Sequence, residues 1–378
     1  MSLVEFEVGK NASVPTAPLT VLREDDTADP ALMPEVSDED LRAIYRTMIQ
    51  TRTLDERMVT LQRQGRIAFY MQSTGEEATT VGSAYALRPG DWIFPCYREQ
   101  GAYLWRGATV QEMAHQCYGN YLDYTKGRQM PVHYSFRHLN IVSVSSPLMT
   151  QVPHAVGTAW AMKLRKDPYV TMTYFGEGST SEGDFHVAMN FAGVYKTPTV
   201  FFLRNNGWAI STPASVQTAS ENFAMKANAY GFEGVQVDGN DVLAVIVATR
   251  RAVDKALRGE GPTLIEALTY RVGAHSTSDD PSGYRTEDHV SPWRDKDPVQ
   301  RFQRFLAKRG LWSPEWEAEL QERFKQEILE AIEVAEKTPG PAPETIFEDV
   351  YAEKPRFLQE QEAELMESLQ QTKAEGAR

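Results

Sequence analysis

The sequence predicts a three-layer α/β protein: a parallel sheet with helices on both faces, with helical N- and C-terminal extensions. Two observations carry that expectation. Between Gly65 and about Ala274, short apolar runs rich in β-branched and aromatic residues alternate with amphipathic stretches. The intervals between those runs are long enough for crossover helices, which parallel strands require.

Taken in order, residues 1–36 carry scattered proline and an acidic stretch from Glu24 to Asp29 without a sustained period, and read as an arm. Ser37 has the position of an N-cap, with Asp38, Glu39 and Asp40 in the first turn and Leu41, Ile44, Tyr45 and Met48 at helical spacing behind it; the helix is expected to run towards Met58 and Leu61. Strands are predicted at Trp92–Pro95, Tyr169–Phe175, Thr199–Leu203, Gly234–Val237 and Thr263–Leu268. From His275 to Pro292 the chain is rich in Ser, Asp, Pro and Gly and reads as an unusually long loop. Ser313 and Pro314 then open a helix whose Leu320, Phe324, Ile328 and Ile332 repeat every four residues until PGPAP at 339–343. The division expected is an arm at 1–36, an α/β domain at 37–310 and a helical tail at 311–378, whose charged, amphipathic end suits packing on a neighbouring chain.

Length and charge narrow the function. At one domain per about 150 residues, 378 residues give two or three units. Lysine and arginine total 39 against 52 acidic residues, and the net charge of −13 argues against nucleic acid or an anionic membrane surface as a main partner. Cys96 and Cys117 form no metal spacing and no disulfide framework, which fits a reducing compartment. The first residues lack the basic start and apolar stretch of a signal peptide, and no run reaches the roughly 18 apolar residues of a membrane span. A cytosolic protein is the expectation.

Chemistry enters at FGEGSTSEGDFH, residues 175–186, which places Glu177 between two glycines where a strand gives way to a helix. Such a junction suits an anion. A carboxylate there would repel a bare phosphate, and a bridging metal would remove the conflict. A dinucleotide fingerprint from Gly176 needs glycine where Ser181 stands, and a P-loop from Gly178 needs Lys and Ser or Thr where Asp184 and Phe185 stand. The remaining reading is a split site completed at the end of the next strand, TVFFL, which runs into RNNGWAIS. Arg204 can pair with a phosphate, and the amide oxygen of Asn205 or Asn206 is a hard ligand suited to Mg²⁺ or Ca²⁺.

The Gly-acid-Gly triplet followed at this distance by Asn-Asn resembles the thiamin diphosphate motif, with Glu177 in place of the usual Asp. GRIAFYM at 65–71, FPCYREQG at 94–101, GRQMPVHY at 127–134, SSPLMTQVPHAVG at 145–157, VDGNDV at 237–242 and TYRVGAHSTSDDPSGYR at 269–285 widen the match. From about residue 38 to its end the chain is similar to the α subunits of branched-chain 2-oxo acid dehydrogenases.

That resemblance implies a thiamin diphosphate-binding fold. It implies Glu177, Asn206 and the carbonyl of Trp208 as Mg²⁺ ligands, and cofactor contacts from Tyr97, Arg98, Ser146, Leu148, Gly178, Ser179, Arg204 and His275, with Leu148 under the aminopyrimidine. Ser145, Thr150 and Gln151 match a monovalent-ion (K⁺) site, and Phe69 and Tyr70 fall in a segment lining the substrate pocket. Ser276 matches a phosphorylation site of mammalian relatives and Thr286 the position of a second; the loop is read here as structural. His275 is the candidate catalytic residue, since imidazole exchanges protons near neutrality, whereas the other histidines suit packing, capping or surface roles. The implied reaction is oxidative decarboxylation of a branched-chain 2-oxo acid with reductive acylation of a lipoyl group. After one thiamin module is placed, an arm and a tail remain, too little for a second α/β layer. The implied partners are therefore a β subunit in an α₂β₂ assembly and the lipoyl domain of a dihydrolipoyl acyltransferase. A pyruvate or acetoin dehydrogenase α subunit, or a noncatalytic nucleotide-binding scaffold, are the alternatives.

Overall fold

The structure is a computed structural model that describes residues 17–376. Residues 1–16 of the expected arm thus lie outside the described residues. The chain runs α1 (Asp38–Arg63), α2 (Glu77–Tyr85), β1 (Trp92–Phe94), α3 (Gln100–Arg106), α4 (Val110–Tyr118), α5 (Gln151–Arg165), β2 (Thr171–Gly176) and α6 (Gly183–Tyr195). It continues through β3 (Thr199–Asn205), a small hairpin of β4 (Trp208–Ala209) and β5 (Thr212–Pro213), β6 (Glu233–Asp238), α7 (Val242–Leu257) and β7 (Thr263–Leu268). The helices α8 (Glu287–Arg294), α9 (Pro298–Lys308), α10 (Pro314–Lys337) and α11 (Arg356–Gly376) follow.

The fold is mixed α/β around a parallel sheet of order β1-β2-β3-β7-β6. All five expected strands are present, with ends displaced by one or two residues where they are displaced at all. Alternation along β3 divides its side chains between two apolar clusters. Val200 and Phe202 join the larger cluster with α1 and α7, while Phe201 and Leu203 join a smaller one with α5 and α6. Register sets Gly176 beside Arg204 and Asn205 beside Leu268, so the carboxyl ends of β2, β3 and β7 finish level. The residues that follow those ends therefore converge.

Caps explain the helix starts. The Ser37 hydroxyl accepts the N–H of Asp40 at 3.0 Å, and the Ser313 hydroxyl accepts that of Trp316 at 3.2 Å. Leu320, Phe324, Ile328 and Ile332 of α10 are buried in the same cluster as Leu41, Ile44 and Met48 of α1. At the other end of the described chain, Leu19 pairs with β6, its N–H donating to the Gln236 carbonyl at 2.8 Å. The expected loop from His275 to Pro292 is shorter than its composition suggested. Thr286 and His289 form a capping box that opens α8, with Glu287 and Asp288 in the first turn, and Pro292 lies inside the helix. Among the described residues no helix is long and apolar enough to cross a membrane.

Candidate active site

Beyond the carboxyl ends of the strands lies a cavity of about 370 Å³. Phe69, Tyr97, Arg98, Ser146, Leu148, Glu177, Gly178, Ser179, Arg204, Asn206, Trp208 and His275 all line it. Of the residues expected to bind cofactor, metal or substrate there, Tyr70 alone is absent. Its ring is fully buried and its hydroxyl donates to Asp55 at 2.8 Å, because adjacent residues of an extended segment point to opposite sides. The Ser145, Thr150 and Gln151 group also stands outside this lining; the Gln151 amide donates to the Tyr174 carbonyl at 2.8 Å.

One side of the cavity is acidic and short of a cation. Glu177 begins the 3-10 turn Glu177–Ser181 that follows β2, and its carboxylate accepts from the Gln217 amide at 3.3 Å and the Asn206 N–H at 3.4 Å, with no cation paired to it among the described residues. Burial raises its pKa above the usual carboxylate value. Beside it, Asn206 Nδ2 donates to Glu76 at 2.9 Å, which turns Oδ1 the other way, where it accepts the Trp208 N–H at 3.3 Å. No cluster of three or more His, Cys, Asp or Glu suited to a metal exists among the described residues. A single buried carboxylate with an amide oxygen is a hard donor set that suits a divalent cation whose remaining ligands come from phosphate and water.

In a second set a cation is paired within the protein. Arg204, 3% exposed, reaches Glu76 at 3.0 Å and Glu99 at 2.5 Å, both buried. The sequence marks Arg204 as a phosphate partner; the structure leaves it on the cavity wall with its charge paired to two carboxylates.

The third set is cationic and makes no direct ion pair, Arg271 reaching Asp279 only through the Tyr284 hydroxyl. Arg98 and Arg271 are 2% and 1% exposed, and neither forms an ion pair among the described residues. Arg98 donates to the carbonyls of Gln72 and His275; Arg271 donates to those of Trp208 at 3.2 Å and Ile210 at 2.6 Å. His275 Nδ1 faces Arg98 at 3.3 Å and Arg271 at 3.5 Å. Burial and those two guanidiniums press the imidazole pKa down to about 3, against a weaker pull upward from Asp279. With these neighbours His275 is neutral, with Nδ1 an acceptor and Nε2–H a donor. Buried cations without counter-anions, across one cavity from a buried carboxylate without a cation, fit a metal-bound diphosphate.

Backbone geometry tightens the site. Met149 and Ile210 take left-handed φ values of 70° and 55°, beside the exposed side chains of Leu148 and of Ile210 itself at the cavity edge. At Gly178 a Cβ would stand 2.4 Å from that of Ala209, so glycine is needed for the turn to lie against β4.

Sequence reading passed over Arg271, Glu76 and His133. Arg271 lay in the quoted TYRVGAH segment, four residues before His275, and that spacing was its only signal. His133 also lines the cavity, where its Nε2 accepts from the Ser146 hydroxyl while Nδ1 donates to the Pro131 carbonyl at 3.0 Å.

The profile of the dehydrogenase E1 component family matches residues 45–344, and the chain belongs to that family. Within it the similarity is to α subunits acting on branched-chain 2-oxo acids. The chain is 49% identical over 329 residues to the mitochondrial 2-oxoisovalerate dehydrogenase subunit alpha 2 of Arabidopsis thaliana, covering 87% of this chain and 70% of that protein. To the mitochondrial 2-oxoisovalerate dehydrogenase subunit alpha of Caenorhabditis elegans it is 48% identical over 342 residues, 90% of this chain and 79% of that one. To the Homo sapiens subunit, also mitochondrial, it is 44% identical over 349 residues, 92% and 78% of the two chains. These names overturn the cytosolic expectation. The two cysteines, buried and free, do not identify a compartment.

Proposed function

We infer that this chain is the α subunit of a branched-chain 2-oxo acid dehydrogenase. With a β subunit it decarboxylates branched-chain 2-oxo acids and passes the acyl group to a lipoyl disulfide, where one S–S bond breaks as one S–C and one S–H bond form. The observation that carries the reading is the unneutralised pair of guanidiniums, Arg98 and Arg271, facing across one cavity a buried Glu177 with no cation. Thiamin diphosphate, when bound, supplies the electron storage that decarboxylation of a 2-oxo acid requires.

Each residue has a task towards that group. Glu177, the amide oxygen of Asn206 and the Trp208 carbonyl, which also accepts from Arg271, would hold Mg²⁺. Arg98 and Arg271 would neutralise phosphate oxygens, and neutral His275 would offer its Nε2–H to the anion. Ser146, Gly178, Ser179 and Tyr97 line the bound cofactor and Leu148 supports it; Phe69 supplies an apolar wall for an aliphatic side chain. Ser145, Thr150 and Gln151 are assigned to a K⁺ site by resemblance alone.

The exposed Met130, Leu148 and Ile210 give the cavity an apolar rim, which supports closure by a β subunit in an α₂β₂ assembly that receives the lipoyl domain of an acyltransferase. The alternation along β3 supports the three-layer reading of the sheet, and the division at residues 36 and 310 is kept as the organisation proposed. Calorimetry of the αβ complex with thiamin diphosphate and Mg²⁺ tests the site; an absence of heat would overturn it. Turnover of 2-oxoisovalerate and 2-oxoisocaproate should exceed that of pyruvate, and a preference for pyruvate would overturn the substrate.

A further inference from the structure

Glu76 is a fully buried carboxylate at the N-cap of α2, and the functional reading gives it no part. Its two oxygens are divided. One accepts from Arg204 Nη1 at 3.0 Å and the other from Asn206 Nδ2 at 2.9 Å. A side-chain amide is nearly symmetric in shape, so packing alone does not decide which end of Asn206 faces Glu177 and the cavity. A carboxylate accepts and does not donate; facing Glu76, Asn206 must present its NH₂ and turn Oδ1 away. The Trp208 N–H, donating to Oδ1 at 3.3 Å, agrees with that orientation.

We propose that Glu76 is a positioning residue for the metal: it fixes the Asn206 amide so that oxygen, not NH₂, faces the cation beside Glu177. This rests on the reading of the cavity as a site for Mg²⁺ and thiamin diphosphate. Arg204 makes the device directional. In Glu76→Gln the guanidinium, a donor only, captures the new amide oxygen, and the new NH₂ is left facing Asn206. Asn206 must then flip to offer its oxygen to position 76, which places its own NH₂ against the metal. The alternative keeps Asn206 in place but sets the NH₂ of residue 76 against a buried guanidinium, a donor-to-donor contact left unmade on both sides.

The test is Mg²⁺ binding to the αβ complex in the presence of thiamin diphosphate, read by calorimetry rather than turnover. Loss of an outer partner that orients a ligand weakens metal affinity by about ten- to a hundredfold, and E76Q is expected to fall in that range. In E76Q/N206D residue 206 carries two oxygens, one to accept from the new NH₂ and one for the metal. Affinity should therefore return to within about tenfold of wild type, whereas N206D alone, which opposes two carboxylates, should weaken binding. The sign of the N206D effect thus reverses between the two backgrounds. Equal Mg²⁺ affinity in wild type and E76Q, or losses that merely add in the double variant, would overturn the inference while leaving the cofactor reading intact. If wild type takes up no Mg²⁺, both are overturned. Should E76Q fail to assemble, the double variant decides: every polar pair in it is satisfied, and its failure to assemble and bind would equally overturn the inference.

Discussion

Arg204 and Arg271 end up on the wall of one cavity, both almost wholly buried, yet their surroundings differ completely. Arg204 meets two carboxylates, Glu76 and Glu99, whereas Arg98 meets carbonyl oxygens and a neutral imidazole, and Arg271 meets these and the Tyr284 hydroxyl, which in turn donates to Asp279 at 2.6 Å. A buried cation with its counter-charge in the protein serves the fold. One without it holds a place for an anion that the chain does not itself provide. Charge accounting within the cavity therefore separates scaffold from site more sharply than proximity does.

The largest effect should come from the neutralised set. Arg204→Met leaves Glu76 and Glu99 buried without a cation, and breaking a buried pair from one side costs about 3–5 kcal/mol. Denaturant unfolding of the αβ complex should show a loss of that order, and an unchanged midpoint would break the contrast. By comparison, Arg98→Met removes a cation with no carboxylate to strand. Its stability cost should be the smaller of the two, while thiamin diphosphate affinity drops about ten- to a hundredfold, since a hydrogen bond to a charged group is worth about 1.5–3 kcal/mol. Calorimetry on both variants should place the larger binding defect at 98 and the larger stability defect at 204.

His275 reports on the unneutralised side through pH. Its folded pKa, about 3, lies below the ordinary value of 6.5 because of burial, Arg98 and Arg271. On acidification through that window the unfolded chain takes up a proton that the folded chain refuses, so stability falls as pH falls from about 6.5 towards 3, by up to about 1.4 kcal/mol per pH unit. His275→Asn removes the proton uptake, and the cofactor-free complex should lose less stability between pH 6 and 4 than wild type. Parallel acid profiles would show that the two guanidiniums are screened and the cavity is not as cationic as its contacts imply.

The sequence carried much of this and concealed the rest for physical reasons. Strands were legible because β2 and β3 are short runs rich in aromatic and β-branched residues, and the place of Glu177 and Asn206 on the cavity because the chain that follows strand ends in an open sheet lines the crevice there. Arg271 was not legible: whether a guanidinium is neutralised depends on which carboxylates fold against it, and no spacing states that. Glu76 was not legible either, since its contacts to Arg204 and Asn206 span 128 and 130 residues. The helix α8 hid behind Pro292, which looks like a breaker but is accommodated inside a short helix held by its Thr286 cap.

At the smallest scale the same division falls between neighbours in the chain. Phe69 faces the cavity, whereas Tyr70 points into the core, where Asp55 accepts from its hydroxyl at 2.8 Å and from the Ser73 hydroxyl and N–H at 2.8 and 2.6 Å. Burial already pushes the Asp55 carboxyl up to about 7, and Tyr70→Phe would remove one of three donors to its charged form. The expected cost is about 1 kcal/mol of stability, the net worth of a typical hydrogen bond, with relative KM values for 2-oxoisovalerate and 2-oxoisocaproate unchanged. Phe69→Ala should do the reverse, altering that ratio by cutting back the apolar wall and enlarging the pocket. If Tyr70→Phe changed the ratio as strongly as Phe69→Ala, the core-facing placement of Tyr70 would be wrong and both rings would belong to the substrate pocket.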